Sequence, residues 1–593
     1  FLGLRTLDVL SIACRNIEER TGTKIVPEEI PTDDELAFKL MQSGNMDGLF
    51  QVEGALYVSL FKRLPPKQFS DVVASIALNR PGPLESGMVE DYIKAAKNPA
   101  AVHYYDDRLR PILEETHGTM VYQEQIMQIS MAMSGFSAGK SDKLRKAMGK
   151  KKLDIMRQLQ ADWDEGAVAN GYPLEIAQQI WADAEKFAKY AFNKSHSAAY
   201  AILVMRTAYL KAHYPNDFMA AVLTSYMGNT DRLIRYIASC NHNGTPVLPP
   251  DINSSNAEFT PVDDGIRFGL VGVRGVGKNV ADEIIAEREA NGPFTSLHDF
   301  VNRLDAKCYN RKTLEALIKG GAFDSTGYTR KQLMYFVEET PLLEGAAKRQ
   351  KDRDAGQVSM FDMFADDADS GFQEDVPAPD GVEWDKRTKL AYEKEIMKIY
   401  VSEHPLAPYE GTLRRMSRYD MGTLSEQTKE IKNGVFVGMI SNVATKLTKR
   451  GTKMATFTLE DTTGSIECIC FKYDDFAEVI QEDVIAKIKG KFESGDRGNQ
   501  IMAFELEALE LNEEDARPSH LELRVPSRSF DQNRSAHLSR ILSSYPGRDG
   551  VVLFVQQADG RRFRAELPVS VDAQSTVLKA EIRDLFGPEA MIA

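Results

Sequence analysis

GVRGVGKNVADEIIAERE, running from Gly272 to Glu289, admits two readings, and the choice between them sets the fold of the middle of the chain. Gly272, Gly277 and Lys278 have the spacing of a phosphate-binding P-loop, in which the next side chain is a Ser or Thr that holds Mg²⁺. Asn279 stands there instead, and no apolar strand ending in a second carboxylate motif follows. Read as a helix-hairpin-helix, Gly275-Val276-Gly277 turns backbone amides toward a DNA phosphate without regard to base sequence. A plain tight turn is the bland alternative. The hairpin accounts for more of the residues, so 254–330 is expected to be a DNA-binding domain, with Gly275, Gly277 and Lys278 at the phosphate.

On the N-terminal side the chain reads as helical to about residue 253. Tyr122, Ile126, Ile129 and Met133 recur on one helix face, and Ser197–Leu210 is Ala-rich and apolar on most sides. Between them lies GKSDKLRKAMGKKK, Gly139–Lys152, with seven bases (Lys140, Lys143, Arg145, Lys146, Lys150, Lys151, Lys152) against one acid, Asp142. Such a row suits a phosphate chain, because each neutralised phosphate releases counterions. A solvated helix face is the usual fate of a Lys run, but this chain is otherwise acidic. In AFNKSHSAAYA, Lys194 and His196 precede the Ala-rich helix, which Ser195 or Ser197 could cap. Cations at a helix N-terminus oppose its dipole, and a bound triphosphate would justify them. A capped helix with a solvated Lys194 is the equal alternative.

On the C-terminal side the pattern fades between Tyr328 and Glu383; part of it reads as helical, but Lys351–Asp380 reads as a solvated, acidic linker. A helix near Tyr392–Tyr400 follows. Five segments from Val435 to Leu511 then alternate or run apolar, separated by KRGTK, DTTGS and SGDRGN, which suggests a small barrel. Lys446, Lys449, Arg450 and Lys453 crowd its first turn and Arg497 a later one. Phe436, Phe457 and Phe471 are the aromatic candidates for base stacking, and all three could instead be core. From Leu521 the order strand, helix, strand, strand, helix describes a small α/β module.

The totals exclude several classes. The 593 residues imply several domains, and 43% hydrophobic with 27% charged content is ordinary for globular protein. The longest apolar run, Ala198–Met205, stops at Arg206, far short of a membrane span. FLGLRTLDVL at the start has no signal-peptide pattern and no Met, so a piece of a longer protein is expected. Five scattered cysteines read as core thiols of a reducing cytoplasm. A net charge of −14 argues against nucleic acid only if charge is spread evenly. No Asp-x-Asp ends an apolar strand, and no Ser/His/Asp set stands out, so a metal-holding or nucleophilic centre is not expected here.

Several long stretches then match one family. FLGLRTL, MQSGNMDGLFQVEG, LNRPGPLESGMV, YQEQIMQI, DKLRKAMGKK, FNKSHSAAYA, LKAHYP, GVGK, SLHDF, LEALIKGGAFD and EHPL occur in family order over nearly the whole chain. The chain resembles the alpha subunits of bacterial DNA polymerase III, the C-family replicative DNA polymerases. The resemblance implies a multidomain α+β protein: fingers at 1–253, the helix-hairpin-helix at 254–330, a linker at 331–385, a helical connector at 386–430, an OB-fold β-barrel at 431–515 and a C-terminal α/β module at 516–593. It implies that Arg80, Lys140, Arg145, Lys146, Lys194 and His196 bind the incoming dNTP. It places primer-template DNA on Lys150, Lys151, Lys152, Gly275, Gly277, Lys278, Lys449 and Arg450, with single-stranded template on the OB fold.

Family members also carry an internal peptide, Gln-x-x-hydrophobic-Phe, for the sliding clamp, and Gln357-Val358-Ser359-Met360-Phe361 fits it. Met360 and Phe361 would fill an apolar pocket, and Gln357 and Ser359 complete the motif. The C-terminal module would meet the clamp-loader tau subunit. In the family the catalytic carboxylates and their Mg²⁺ sit in a palm domain, the last carboxylate just before the segment matching FLGLRTL. This chain is therefore expected to lack them, to be inactive alone, and to reside in the bacterial cytoplasm at the nucleoid. Two other readings stand beside this one. The chain could be a non-catalytic DNA-binding adaptor that recruits the clamp, or a P-loop NTPase built on Gly277 and Lys278.

Overall fold

The computed structural model describes residues 4–593 apart from 99, 101, 150–151, 188–191, 355–380, 428, 448–450, 496–497, 513–514, 517–519, 528–529, 557–561, 572, 574, 588–590 and 593. The chain forms two compact units, Phe1–Gly381 and Val382–Ala593. The first is built almost wholly of helices. Several of them start at a polar cap, and some stop where a left-handed residue turns the chain. Asp34 accepts the Ala37 amide at 2.7 Å to open Glu35–Ser43, and Gly44 closes that helix at φ +87°.

The expected face of Tyr122, Ile126, Ile129 and Met133 is buried, in the Gln123–Ser134 helix and the residue before it. It packs in one core with Leu144, Leu159, Trp163, Trp181 and Phe187. Trp163 and Trp181 meet edge-on at 5.3 Å, and the Trp163 indole donates to the Ala177 carbonyl at 3.0 Å. The Leu153–Ala169 helix crosses Gln123–Ser134 at Gly166, where a Cβ would stand 2.1 Å from the Ser134 carbonyl oxygen. Only glycine permits that approach.

The stretch MQSGNMDGLFQVEG is a loop held by residues far along the chain. Lys211 is buried in the Lys194–His213 helix and donates to Asn45 O (3.1 Å), Asn45 Oδ1 (2.7 Å) and Asp47 O (2.8 Å). Burial pushes its ammonium down to about 8. Arg232 pairs with Glu53, and Arg235 forks onto Asp47. Two of the family-like motifs, MQSGNMDGLFQVEG and LKAHYP, thus meet in one structural knot.

The stretch Gly272–Glu289 is a hairpin. Leu270–Gly272 makes one tight turn, Gly275 takes φ +87°, and the helix Lys278–Asn291 begins at Gly277. Val273 and Val276 are buried while Arg274, Gly275, Gly277 and Lys278 are exposed, so the turn is anchored from below and presents its backbone outward. Ahead of the turn a short strand, Gly265–Arg267 (β3), lies between β1 (Val247–Leu248) and β2 (Thr260–Val262). Helices Leu297–Arg303 and Arg311–Lys319 follow, capped by Ser296 and Asn310.

The linker begins later than expected. Residues 331–354 are mostly helical, in Arg330–Glu339 and Leu342–Asp354, and Leu333, Met334, Phe336 and Val337 are buried. His298 meets Phe336 edge-on at 5.2 Å, so this segment packs on the hairpin domain. The sequence conceals this because few apolar residues sit among many charges.

In the second unit the helix Lys386–Met397 leads to a closed five-stranded barrel, in the order β4-β5-β6-β8-β7. Its strands are β4 (Ile431–Leu447), β5 (Lys453–Glu460), β6 (Ser465–Cys470), β7 (Ile485–Gly495) and β8 (Gly498–Ala508). Alternation puts Ile466, Cys468 and Cys470 inside, so those thiols are core. The helix is tied to the barrel by Lys394, which pairs with Glu460 (3.2 Å) and Asp483 (2.9 Å). In EHPL, His404 Nδ1 accepts the Leu406 amide at 3.1 Å and so fixes the turn that buries Leu406. Burial, helped by the Lys394 charge, pushes His404 down to about 4.

The C-terminal module is a four-stranded sheet ordered β11-β10-β9-β12, with β9 at His520–Pro526, β10 at Pro546–Gln556, β11 at Arg562–Val571 and β12 at Met591–Ile592. Helices Gln532–Ser544 and Thr576–Phe586 share its core, which holds Leu523, Val525, Leu542, Leu553 and Leu578.

Candidate nucleotide and nucleic-acid interface

Phe192 is the hub of the first candidate site. Its carbonyl accepts the Gln123 amide at 2.9 Å, which pins FNKSH against the start of the Gln123–Ser134 helix. Arg80 lays its guanidinium over the Phe192 ring at 4.1 Å and donates to the Ala77 carbonyl at 3.1 Å. Partial burial lowers its pKa, yet a guanidinium keeps its proton at any working pH. His196 meets Phe192 edge-on at 5.4 Å and stacks on Tyr200 at 4.3 Å. Arg145 reaches the same neighbourhood through Gln123 Oε1 at 3.4 Å and also forks onto Asp142. The structure therefore brings Arg80 and His196 onto Phe192, with Arg145 at the edge, while the Lys194 side chain turns to Glu115 and Tyr122.

The helix Lys194–His213 is capped by Asn193, whose side chain accepts the His196 amide at 2.9 Å; neither Ser195 nor Ser197 does this. The carboxylate that answers the dipole is Glu124. It accepts from Asn193 Nδ2 at 2.7 Å and from the Lys194 amide at 3.0 Å. The Lys194 ammonium lies 2.7 Å from both oxygens of Glu115 and 5.5 Å from the Tyr122 ring centre. Acids of the protein itself thus justify the cations at this helix end. Phe192, Glu115 and Glu124 were not singled out from sequence. Glu124 sits in the quoted YQEQIMQI, but nothing local says that it serves a helix seventy residues on.

Other predicted residues are placed elsewhere. Lys140 pairs with Asp162 at 2.7 Å and lies over the Phe136 ring at 4.2 Å. Lys146 pairs with Asp142 at 2.7 Å, and Lys146 with Arg145 holds that carboxyl below its usual range. Lys152 is exposed and precedes the Leu153–Ala169 helix. Lys150, Lys151, Lys449, Arg450 and the peptide Gln357, Ser359, Met360 and Phe361 lie outside the described residues. At the hairpin, exposed Lys278 sits 3.5 Å from Asp282, beside the open backbone of Gly275 and Gly277.

The barrel corrects the aromatic candidates. Phe436 and Phe457 are core, while Phe471 is 50% exposed. Phe504, also 50% exposed, was missed. β6 and β8 run parallel through the pairs Ile469–Met502 and Cys470–Ala503, and Phe471 and Phe504 come one residue further along each strand. Alternation with buried Ile501 and Ala503 was the available signal, since it turns Met502 and Phe504 outward. Among the described residues no group of three or more His, Cys, Asp or Glu could hold a metal ion.

The finger domain of the bacterial DNA polymerase III alpha subunit matches residues 6–171. A helix-hairpin-helix motif matches 244–333, and an OB-fold nucleic acid binding domain matches 435–509. DNA polymerase III subunit alpha of Aquifex aeolicus is 42% identical over 83% of this chain and 40% of its own length. Its counterpart from Thermus aquaticus is 37% identical over 98% of this chain and 47% of its own. That of Escherichia coli K12 is 35% identical over 99% and 52%. The chain spans about half the length of the curated relatives it matches. A solved second OB-fold domain of replication protein A from Methanococcus maripaludis covers 16% of the chain at 22% identity and TM-score 0.13, too slight a likeness to carry weight. By fingers, hairpin and barrel in one order, the chain belongs to the DNA polymerase III alpha subunit family.

Proposed function

We propose that this chain works as part of the replicative DNA polymerase, in template-directed synthesis from dNTPs. One observation carries the reading: Arg80, far away in sequence, lies on the Phe192 ring that His196 also meets, beside the Lys194 segment, within a chain that aligns with alpha subunits almost throughout. Arg80 and Lys194 offer cations to a triphosphate, and Phe192, His196 and Tyr200 offer flat faces to a base or sugar. Arg145 adds charge at the edge. Lys140 and Lys146 are supporting charges.

DNA binding divides between two surfaces. The hairpin at Gly275, Gly277 and Lys278 grips duplex phosphates, with Lys150, Lys151 and Lys152 extending the grip. The barrel takes single-stranded template on Phe471 and Phe504, with Lys449 and Arg450 supplying charge. Gln357–Phe361 docks on the sliding clamp, and the C-terminal module meets the clamp-loader tau subunit. Tethered docking raises effective concentration, which suits a polymerase that must stay on its primer. The Mg²⁺ that nucleotidyl transfer needs is held by carboxylates outside this chain, in the bacterial cytoplasm, and the chain alone does not polymerise. The match to polymerase fingers favours this over an adaptor.

Fluorescence anisotropy with primed DNA, with photocrosslinking of an azido-dATP, tests the reading. Binding should weaken steeply with salt, and the label should land on the Phe192–Tyr200 segment. Salt-independent binding, or a label confined to the second unit, refutes it.

A further inference from the structure

Two carboxylates meet the segment at Lys194, and they are held very differently. Glu124 bonds to a backbone amide and to the Asn193 side chain that caps the helix, both partly buried. Releasing it would unmake the cap. Among the described residues Glu115 bonds to the end of a flexible ammonium, at 2.7 Å from both its oxygens. That pair lies open, with the Lys194 side chain 40% and the Glu115 side chain 37% exposed. An exposed ion pair contributes little net free energy and exchanges readily with anions from solution. Arg80 on the Phe192 ring and His196 beside it flank the segment on which Lys194 sits.

We propose that Glu115 is an exchangeable occupant of Lys194, standing in for phosphate while the site is empty and displaced when a polyphosphate arrives. The inference rests on the nucleotide reading of this site and adds a role within it. A triphosphate brings several charges and can also engage Arg80, so it outcompetes a single carboxylate. A monoanion cannot. Glu115 therefore sets a threshold of charge for entry and keeps Lys194 from holding stray anions, while Glu124 keeps the helix end in shape throughout.

The test is calorimetric titration of the full chain with inorganic tripolyphosphate at low ionic strength. Glu115→Gln should bind about two- to fivefold tighter than the parent, the span of an exposed ion pair. Glu115→Ala should match it. Lys194→Ala should bind more weakly, and adding Glu115→Gln to it should restore nothing. If Lys194→Ala weakens binding but Glu115→Gln does not tighten it, the exchange is overturned and the nucleotide reading stands. A gain from Glu115→Gln that persists without Lys194 also overturns the exchange, because Glu115 would then act only as background charge. If Lys194→Ala binds as well as the parent, the nucleotide reading falls and the exchange with it.

Discussion

The helical fingers and the barrel hold their charges by opposite means. In the fingers, cations find partners far away in sequence. Lys194 reaches Glu115 across 79 positions, Lys211 reaches Asn45 across 166, and Arg232 reaches Glu53 across 179. On the outer face of the barrel, Lys489 pairs with Glu505 only 16 positions on, directly across the strand, and Lys491 with Glu493 two positions away. Lys487 pairs with Glu507 in the same ladder. The barrel's ladder is a solvated ornament of a fold made by apolar alternation. The fingers' long-range pairs, with Lys211 buried among them, are part of what holds the loops in register.

Substitutions should expose that contrast. The largest effect is expected at Lys211. Lys211→Met keeps the apolar stem but leaves three buried loop acceptors without donors, and we expect a loss of about 3 kcal/mol in urea denaturation. A loss well below 1 kcal/mol would show that the loop does not depend on this knot.

His404 comes next and concerns the second unit. Its pKa falls from the ordinary 6.5 to about 4 on folding, so its stabilising contribution is complete above pH 6.5 and is lost as pH falls toward 4. The loss should be on the order of 2 kcal/mol. His404→Asn, which retains an acceptor for the Leu406 amide, should flatten that part of the curve. An unchanged slope would break the assignment.

Smaller again is the stacking pair on the barrel. Phe471→Ala and Phe504→Ala should each weaken binding of a single-stranded oligonucleotide by about 1–2 kcal/mol and leave the fold intact, because both rings already face solvent. Unchanged affinity in both would move single-strand binding off this face. The smallest effect is expected at the ladder: Lys489→Ala should leave the denaturation midpoint where it was.

Much of this was legible in the sequence. The barrel followed from alternation and polar turns, since a strand declares its buried face in any two consecutive residues. The hairpin followed from Gly275, where a left-handed backbone restricts the residue type, and from Gly277 two residues on. Legibility failed where burial depends on a partner. The Arg330–Glu339 helix looked like linker because its apolar residues gain meaning only against His298 and the hairpin core. Phe457 and Phe471 looked alike as stacking candidates, although one faces in and the other out.

What the sequence by itself determined is the set of local decisions: where helices and strands form, where glycine must turn the chain, and which stretches ally it with the polymerase family. These depend on neighbours a few residues apart. What only the tertiary structure decided is which charges meet. A carboxylate carries no mark of the cation it will face, because Coulomb attraction depends on distance in space, and folding sets that distance. That is why Glu115 and Glu124 passed unnoticed in the sequence, though one closes the Lys194 ammonium and the other completes the helix end beneath it.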